Sequence, residues 1–316
     1  MARKTNYTKN GNDYFRVTTS IGRDANGKLI RKEFYGKSKT EAEDKRDEYI
    51  NNIKNGLNIN YKDTILGNLM HTWLFEVVKI KVKPTSFERY EGIYRNYIKE
   101  SELYSLKLSD LKSLQVQRYY NNLYNNGKSS SSIKSLNKLL NQFLNYAVDE
   151  GYILKNPCSG KKIIIPGKKD VKDTEIAIFT DAEIDTLKQA LNGHRLKCLI
   201  LMALGTGLRQ GELLALKWSD IDTDLKEVKV EKTIKRVKII ESDGSSRHEV
   251  ITQAPKSKTS NRIVPIPSTL IPVLKEHEKE QKLEKIKAGP SYLDNNFIFA
   301  TATGNPFPRG PGKRLW

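Results

Sequence analysis

The stretch 203–222 has the residue types and spacing best suited to chemistry in this chain of 316 residues. Gly205 and Gly207 allow a tight turn, after which Arg209 stands at the start of a predicted helix. A guanidinium at a helix start can donate two N–H groups to a phosphate, assisted by the helix dipole. The alternative is structural, because Arg209 and Glu212 are spaced i, i+3 and could form an ordinary ion pair. Both interpretations stay open at this point.

The remaining composition argues against several other kinds of site. Cys158 and Cys198 stand alone, without a Cys-x-x-Cys pair or clustered histidines, so neither a disulfide framework nor a zinc site is predicted. No apolar run approaches the ~18 residues of a membrane span, and the first residues lack the apolar stretch of a secretory signal. We therefore expect a soluble protein that acts in the cytoplasm.

The net charge indicates the class of partner. The chain has 55 Lys and Arg against 37 Asp and Glu, a formal charge of +18. This is far above the magnitude of about 2–8 that is enough to keep a small domain soluble. The excess is spread over residues 1–62, 63–170 and 171–316, which carry +6, +7 and +5. Such a surface attracts polyanions, and nucleic acid is the leading partner.

Three domains are predicted to position these residues. Residues 1–62 read as strand, turn, strand and helix, with strands over 13–21 and 29–35 and a helix start at 38–41. Polar positions of this small sheet include Arg16, Arg31 and Lys32, which could enter a DNA groove as part of a β-ribbon. The alternative is a sheet face that simply meets water.

Residues 63–157 are predicted to form an all-α domain of four helices. Apolar residues recur at three and four in segments that start near Leu66, Pro84, Val116 and Ile133. Three lysines near the start of the fourth helix could hold phosphates, although helix lysines usually contact only water. They are Lys128, Lys134 and Lys138.

Residues 158–174 are rich in Gly, Lys and Pro and are predicted to be a basic linker. Residues 175–316 mix helix and strand patterns, so an α+β domain is expected there. Its first helix should begin at a Thr180–Glu183 capping box. Further helices are predicted over 195–204 and from 212 and 269. Strands are predicted over 228–237, 263–266 and 297–300.

The segments 206–213 (Thr-Gly-Leu-Arg-Gln-Gly-Glu-Leu) and 216–222 (Leu-Lys-Trp-Ser-Asp-Ile-Asp) resemble the first catalytic box of the tyrosine recombinases, the phage-integrase class. The rest of the chain resembles the same family in order. Residues 1–62 look like an arm-site DNA-binding domain, 63–157 like the helical core-binding domain, and 175–316 like the first part of the catalytic domain. The resemblance thus covers nearly the whole chain.

The resemblance implies roles for individual residues. Arg209 matches the first catalytic arginine, which grips the scissile phosphate, and Glu212 matches an acidic position that gives structural support. The segment 254–266 matches the β-hairpin that carries the catalytic lysine, the general acid for the departing 5′-hydroxyl. Lys256 fits this role better on an ungapped comparison, and Lys258 is the alternative.

The resemblance also implies the chemistry. Family members attack a DNA phosphodiester with a tyrosine hydroxyl and keep the bond energy in a phosphotyrosine ester, so no metal, ATP or other cofactor is expected. Cations must stabilise the transition state and a proton donor must release the leaving oxygen. The implied function is a site-specific DNA recombinase, an integrase, that exchanges strands at attachment sites. Its partners would be double-stranded DNA and other recombinase protomers, with no membrane.

Two features of the family are not found in these residues. None of the four histidines has an arginine three positions later, and the last tyrosine, Tyr292, is better explained by packing than as the nucleophile. We therefore expect a C-terminally incomplete catalytic domain that does not cleave DNA alone and that exposes core residues such as Ile200, Phe297 and Phe299. The alternative is a non-catalytic sequence-specific DNA-binding protein derived from an integrase. A basic RNA-binding protein would explain the charge but not the motifs.

Overall fold

A computed structural model describes residues 5–9, 11–23, 27–58, 61, 63–160, 162–167, 178–253 and 261–307. The chain divides into two compact units. The first comprises residues 1–82 and 89–170, and the second comprises residues 83–88 and 171–316.

The first unit begins with a small antiparallel sheet. Its strands are β1 (Tyr7–Lys9), β2 (Asn12–Arg23) and β3 (Leu29–Gly36), in the order β1-β2-β3, and α1 (Lys39–Lys54) follows. Helix α1 packs on one face of the sheet, where the Phe34 and Tyr49 rings lie 5.1 Å apart. The Ser38 hydroxyl caps the helix by accepting from the Glu41 N–H at 3.1 Å, so the predicted helix start is confirmed. Strand β1 was not predicted, and turn residues 24–26 lie outside the described residues.

The predicted helical segments are helical. Their bounds are α2 (Leu66–Thr72), α3 (Lys79–Lys81), α4 (Pro84–Tyr97), α5 (Ser113–Asn125) and α6 (Ser130–Asp149). A π-helical turn, Trp73–Val78, joins α2 to α3. This wider turn buries the three consecutive side chains of Trp73, Leu74 and Phe75, which an α-helix would spread over a larger arc. No sequence pattern had indicated it.

The residue pair before the predicted linker and the first part of the linker are held against the helices. Asn156 is 6% exposed, and its amide nitrogen donates to the side-chain oxygens of Asn141 at 3.1 Å and Asn145 at 2.7 Å. Further along, the Gln117 amide nitrogen donates to the Ile164 carbonyl at 2.8 Å, and the Ile164 N–H donates to the Gln117 amide oxygen at 2.8 Å. The linker is therefore anchored to α5 as far as Ile164.

The sheet-and-helix part also contacts the end of α6. The Asn58 N–H donates to the Gly151 carbonyl at 2.9 Å, and the Tyr61 and Tyr152 rings stack with centroids 4.1 Å apart. Gly151 has a φ of +75°, and a Cβ there would lie 2.6 Å from the Gly56 carbonyl oxygen. Only glycine suits this position, because it meets both the left-handed conformation and the close approach of backbone.

The second unit is α+β, with its strands in a sheet and a hairpin. The helices are α7 (Asp181–Ala190), α8 (Lys197–Thr206), α9 (Gln210–Leu213) and α10 (Ile271–Ala288). The strands are β4 (Ile221–Asp222), β5 (Glu227–Val230), β6 (Thr233–Ile240), β7 (Ser246–Gln253) and β8 (Arg262–Pro265). Antiparallel pairing gives a β4-β5-β8 sheet and a β6-β7 hairpin. The Thr180–Glu183 capping box is present as predicted.

Two strand predictions for this unit were wrong in detail, and a strand was missed. The predicted strand 228–237 is two strands, β5 and β6, in different sheets, and β7 was not predicted. The predicted strand 297–300 forms only single bridges, because the carbonyls of Phe297 and Ile298 accept from Gln281 and that of Ile298 also bonds to His277, both on α10.

The predicted exposure of core residues was also wrong. Ile200 is 8% exposed and lines a small apolar cavity with Leu208, Leu213 and Phe307. Phe299 is 2% exposed, because α10 covers it. The Phe299 ring lies 5.6 Å from the His277 ring, and Leu274 of the same helix is buried in the same cluster. Phe297 is partly buried against it.

Candidate active site

A short turn between two helices places Arg209. Helix α8 ends at Thr206, and Gly207 follows in the left-handed conformation, with φ +63°, as the predicted turn requires. Gly205 has another role, because it is the last-but-one residue of α8 and a Cβ there would lie 2.6 Å from Leu270 Cδ1. Arg209 then has an extended backbone, with φ −66° and ψ 145°, and is the N-cap of α9.

The helix that follows is fixed in the core. Leu213, Leu214 and Leu216 are each 2% exposed or less, which confirms that they anchor this segment. They pack with Met202 of α8 and Val228 of β5 in one cluster of buried residues. Burying apolar side chains on both sides of the turn holds Arg209 on a rigid base.

The Glu212 carboxylate joins two arginines. Oε1 accepts from Arg209 Nη1 at 3.1 Å and from Arg262 Nη1 at 3.3 Å. Oε2 accepts from the Arg209 backbone N–H at 3.0 Å and from Arg262 Nη2 at 2.8 Å. The structural pairing of Arg209 with Glu212 therefore exists, and it leaves most of the Arg209 side chain, 78% of it, exposed.

Hydrogen bonds determine the ionisation of Glu212. The Arg262 guanidinium, followed by the backbone and side chain of Arg209, lowers the pKa of this carboxyl from 4.5 to about 2, against the opposing effect of burial. The carboxylate is thus ionised at neutral pH although its side chain is only 8% exposed. A permanently charged carboxylate with four donors is a fixed support for the arginine beside it.

Arg262 was not identified from the sequence as a site residue. It is the first residue of β8, where it pairs with Val230 of β5, and 50 positions separate it from Glu212. The one available signal was its place at the end of the lysine-bearing segment. Its contact with Glu212 brings the start of β8 to the Arg209 turn.

The two candidate lysines, Lys256 and Lys258, lie outside the described residues, in the stretch 254–260 between β7 and β8. The strand that follows them begins at Arg262, in contact with Glu212.

The candidate DNA-binding residues of the sheet lie on two different faces. Arg31 is opposite Ser20 and Arg16 is opposite Tyr35, so both arginines share the face away from α1. Arg16 pairs there with Glu33 at 3.2 Å. Lys32 lies on the other face, with its Nζ 4.3 Å from the centre of the Tyr49 ring of α1. Adjacent strand residues cannot share a face, so the three do not form one patch.

The candidate lysines of the helices are exposed. Lys134 and Lys138 are four residues apart on α6 and project from the same face. Lys128 precedes the helix, next to the N-cap Ser129, whose hydroxyl accepts from the Ser132 N–H.

The described residues hold no group of three or more His, Cys, Asp or Glu side chains that could bind a metal ion. Burial raises the pKa of the Cys158 and Cys198 thiols to about 12, so both stay protonated and unreactive. In the part of the chain that the structure describes, no helix is both long and apolar enough for a membrane span.

Comparisons with known proteins identify the family of this chain. The family model described as the phage integrase family matches residues 178–311, and the phage integrase N-terminal SAM-like domain matches residues 65–124. The chain therefore belongs to the phage integrase family of tyrosine recombinases. One relative, described as a XerC-like tyrosine recombinase of Caldanaerobacter subterraneus, is 60% identical over 96% of this chain and 79% of its own length. The integrase of Staphylococcus phage L54a is 28% identical over 84% of this chain and 76% of its own length.

Solved structures show the same fold. The Tn1549 transposon integrase in complex with a circular intermediate DNA has a TM-score of 0.59 at 18% identity, covering 77% of this chain and 73% of that chain. The lambda integrase dimer bound to a core site has a TM-score of 0.52 at 16% identity, covering 95% of this chain and 75% of that chain. This chain thus has the tyrosine recombinase fold, with an N-terminal sheet and helices followed by an α+β catalytic domain.

Proposed function

We propose that this chain is an integrase, a site-specific DNA recombinase that binds attachment-site DNA for strand exchange through a phosphotyrosine intermediate, and that these 316 residues do not complete the cleavage step on their own. The observation that supports this proposal is the contact of the Glu212 carboxylate with both Arg209 of the first box and Arg262, the first residue of β8. Two segments that are far apart in sequence therefore meet at Glu212. A phosphate-binding site built from both segments requires such a meeting. Among its relatives of known structure are integrases in complex with DNA, including a tetramer bound to a Holliday junction.

Within this function, Arg209 binds the scissile phosphate, and Glu212 holds the Arg209 side chain in position. Lys256, or alternatively Lys258, protonates the leaving 5′-hydroxyl. Arg209 suits its role because its guanidinium is exposed and still has N–H donors that Glu212 does not use. The transition state gains negative charge, which fixed cations stabilise best when their positions are set in advance.

The remaining modules bind DNA in this proposal. Residues 1–62 form the arm-site domain, with Arg16, Arg31 and Lys32 as candidate contacts. Residues 63–157 form a four-helix core-binding domain, with Lys128, Lys134 and Lys138 facing phosphates. Residues 158–174 link it to the catalytic domain, 175–316. Double-stranded DNA and further protomers are the partners, and a DNA partner implies action in the cytoplasm.

Salt-dependent binding tests the role of Arg209. We expect the logarithm of the binding constant for a fluorescein-labelled duplex to fall linearly with the logarithm of salt concentration. The Arg209→Gln variant should lower this slope by about 1, the value for one phosphate contact. Arg195→Gln is the matched control, since Arg195 also pairs with a carboxylate, Glu284 at 3.1 Å, elsewhere in the unit. An unchanged slope for Arg209→Gln would remove Arg209 from the phosphate site.

Covalent capture separates recombinase chemistry from DNA binding alone. Nicked duplexes selected for tight binding are incubated with the 316-residue chain, and adducts that survive denaturant are counted. We expect no adducts, because none of the four histidines in this sequence begins a His-x-x-Arg box. The last tyrosine in the sequence, Tyr292, packs beside Gly304 and so is not expected to act as the nucleophile. A stable adduct would show that the nucleophile lies among these residues.

A further inference from the structure

We propose that Arg262 is a positioning residue that neutralises Glu212 and thereby leaves the positive charge of Arg209 available to a phosphate. This inference rests on the proposed function, since it concerns how the same site holds its anion.

The two arginines engage Glu212 in different ways. Arg262 presents two guanidinium nitrogens to the two carboxylate oxygens, at 3.3 and 2.8 Å, which is the fork geometry of a bidentate pair. Arg209 presents one guanidinium nitrogen, at 3.1 Å, and its backbone N–H, at 3.0 Å. The Glu212 carboxylate therefore binds the Arg262 guanidinium through two hydrogen bonds and the Arg209 guanidinium through only one.

Exposure shows which arginine meets the anion. The Arg209 side chain is 78% exposed and the Arg262 side chain is 33% exposed, while Glu212 is 8% exposed. An incoming phosphate thus reaches Arg209 first. The three charges sum to +1, and the Arg262–Glu212 pair is close to neutral, so the net charge lies on the exposed guanidinium.

Removing Arg262 would change this balance. Glu212 would keep its charge in a nearly buried position with half of its donors lost, a state that is costly. Arg209 already contacts Glu212 at 3.1 Å, so we expect its guanidinium to turn into the vacated place and pair with Glu212 more closely. An arginine neutralised in this way binds phosphate poorly, although it is still present.

The same contact places the start of β8. Arg262 is the first residue of β8 and follows directly after Asn261, at the end of the segment that contains Lys256 and Lys258. Its pair with Glu212 ties the end of that segment to the turn that carries Arg209. One side chain thus balances the charge of Glu212 and joins β8 to the Arg209 turn.

Inorganic phosphate is the probe for the test. The full chain is labelled with ¹⁵N-arginine, the Arg209 Nε–H resonance is assigned with Arg209→Lys, and its shift is followed during a phosphate titration near neutral pH. We expect Arg262→Gln to weaken phosphate binding about five- to tenfold, the loss of roughly one charge at a partly screened site. The double variant E212Q/R262Q, which has neither the carboxylate nor its partner, should return to within about twofold of the parent protein on the same reasoning.

Controls separate this effect from damage to the fold. Arg195→Gln should leave the titration unchanged, and Arg262→Lys, which keeps the charge, should stay close to the parent. If Arg262→Gln does not fold, the comparison of Arg262→Lys with E212Q/R262Q carries the test, and both are expected to bind.

Two results would overturn the inference: unchanged phosphate binding by Arg262→Gln, or no recovery in E212Q/R262Q. If the Arg209 resonance of the parent chain does not respond to phosphate, the proposed function fails at this site as well. A parent that responds, together with an Arg262→Gln variant that responds equally, removes the role of Arg262 alone.

Discussion

Glu212 is the residue on which the local energetics of the Arg209 turn depend. Its carboxylate is almost fully buried, and all four of its described hydrogen bonds come from two arginines. A buried carboxylate of this kind stabilises the fold only while both partners remain, because an unpaired buried charge is strongly unfavourable.

The stability of this pair should depend on pH. Because the folded-state pKa of about 2 lies below the ordinary 4.5, the ionised carboxylate stabilises the fold above pH 4.5, and this contribution is lost as the pH falls towards 2. The shift corresponds to up to about 3 kcal/mol in the free energy of unfolding. Urea unfolding of the parent and of Glu212→Gln should therefore show a large difference near neutral pH and a smaller one at about pH 3.

The control is Asp185→Asn, which removes the exposed ion pair with Lys188 and should cost less than about 1 kcal/mol. A Glu212→Gln difference of the same size at both pH values would contradict the lowered pKa.

At the scale of elements, Gly151 allows the chain after α6 to pack closely against residues 56–58, which follow α1. Gly151→Ala would place a Cβ 2.6 Å from the Gly56 carbonyl oxygen, at a residue with φ +75°. Gly127→Ala is the matched control, since Gly127 has φ +80° and open space around it. We expect the control to cost about 1 kcal/mol from the backbone alone.

Gly151→Ala should cost about 1–3 kcal/mol more than the control, because backbone must move. Thermal or urea unfolding of the two variants measures the difference. Equal costs would show that the close approach of the Gly56 carbonyl to Gly151 does not restrict this position.

A second element-scale prediction concerns the linker. Gln117→Ala removes both hydrogen bonds to Ile164, so we expect faster amide exchange and faster proteolysis over 162–167, with little change in the melting of the helices. Gln142→Ala, an exposed change on α6, is the control. Unchanged exchange in Gln117→Ala would show that the segment is held by other contacts.

These elements also show how far sequence reasoning reaches. The Ser38 and Thr180 helix starts were predictable, because a cap and its partner lie within three residues. The π-helical turn at Trp73 follows from packing and has no local signal. The apolar run 297–300 resembles a strand, yet side chains of α10 bind its carbonyls. The Arg262–Glu212 pair spans 50 positions, so no helix or strand periodicity could indicate it.

At the scale of the whole molecule, the charge of +18 predicts a polyanion partner but not which one. Charge alone would serve RNA equally well, whereas membership of the phage integrase family and the site at Arg209 favour DNA. In competition at matched salt, we expect unlabelled duplex DNA to displace a bound duplex at a lower concentration than a structured RNA of equal length. A clear preference for the RNA would contradict the integrase assignment of this chain.

The convergence of two cations on one phosphate is the central claim, and a structure of the chain bound to duplex DNA selected from a random library tests it most directly. We predict an Arg209 guanidinium nitrogen and the ammonium of Lys256 or Lys258 within about 3.5 Å of oxygens of the same phosphate. Arg209 turned away from the DNA, or an arginine and lysine on different phosphates, would contradict the account.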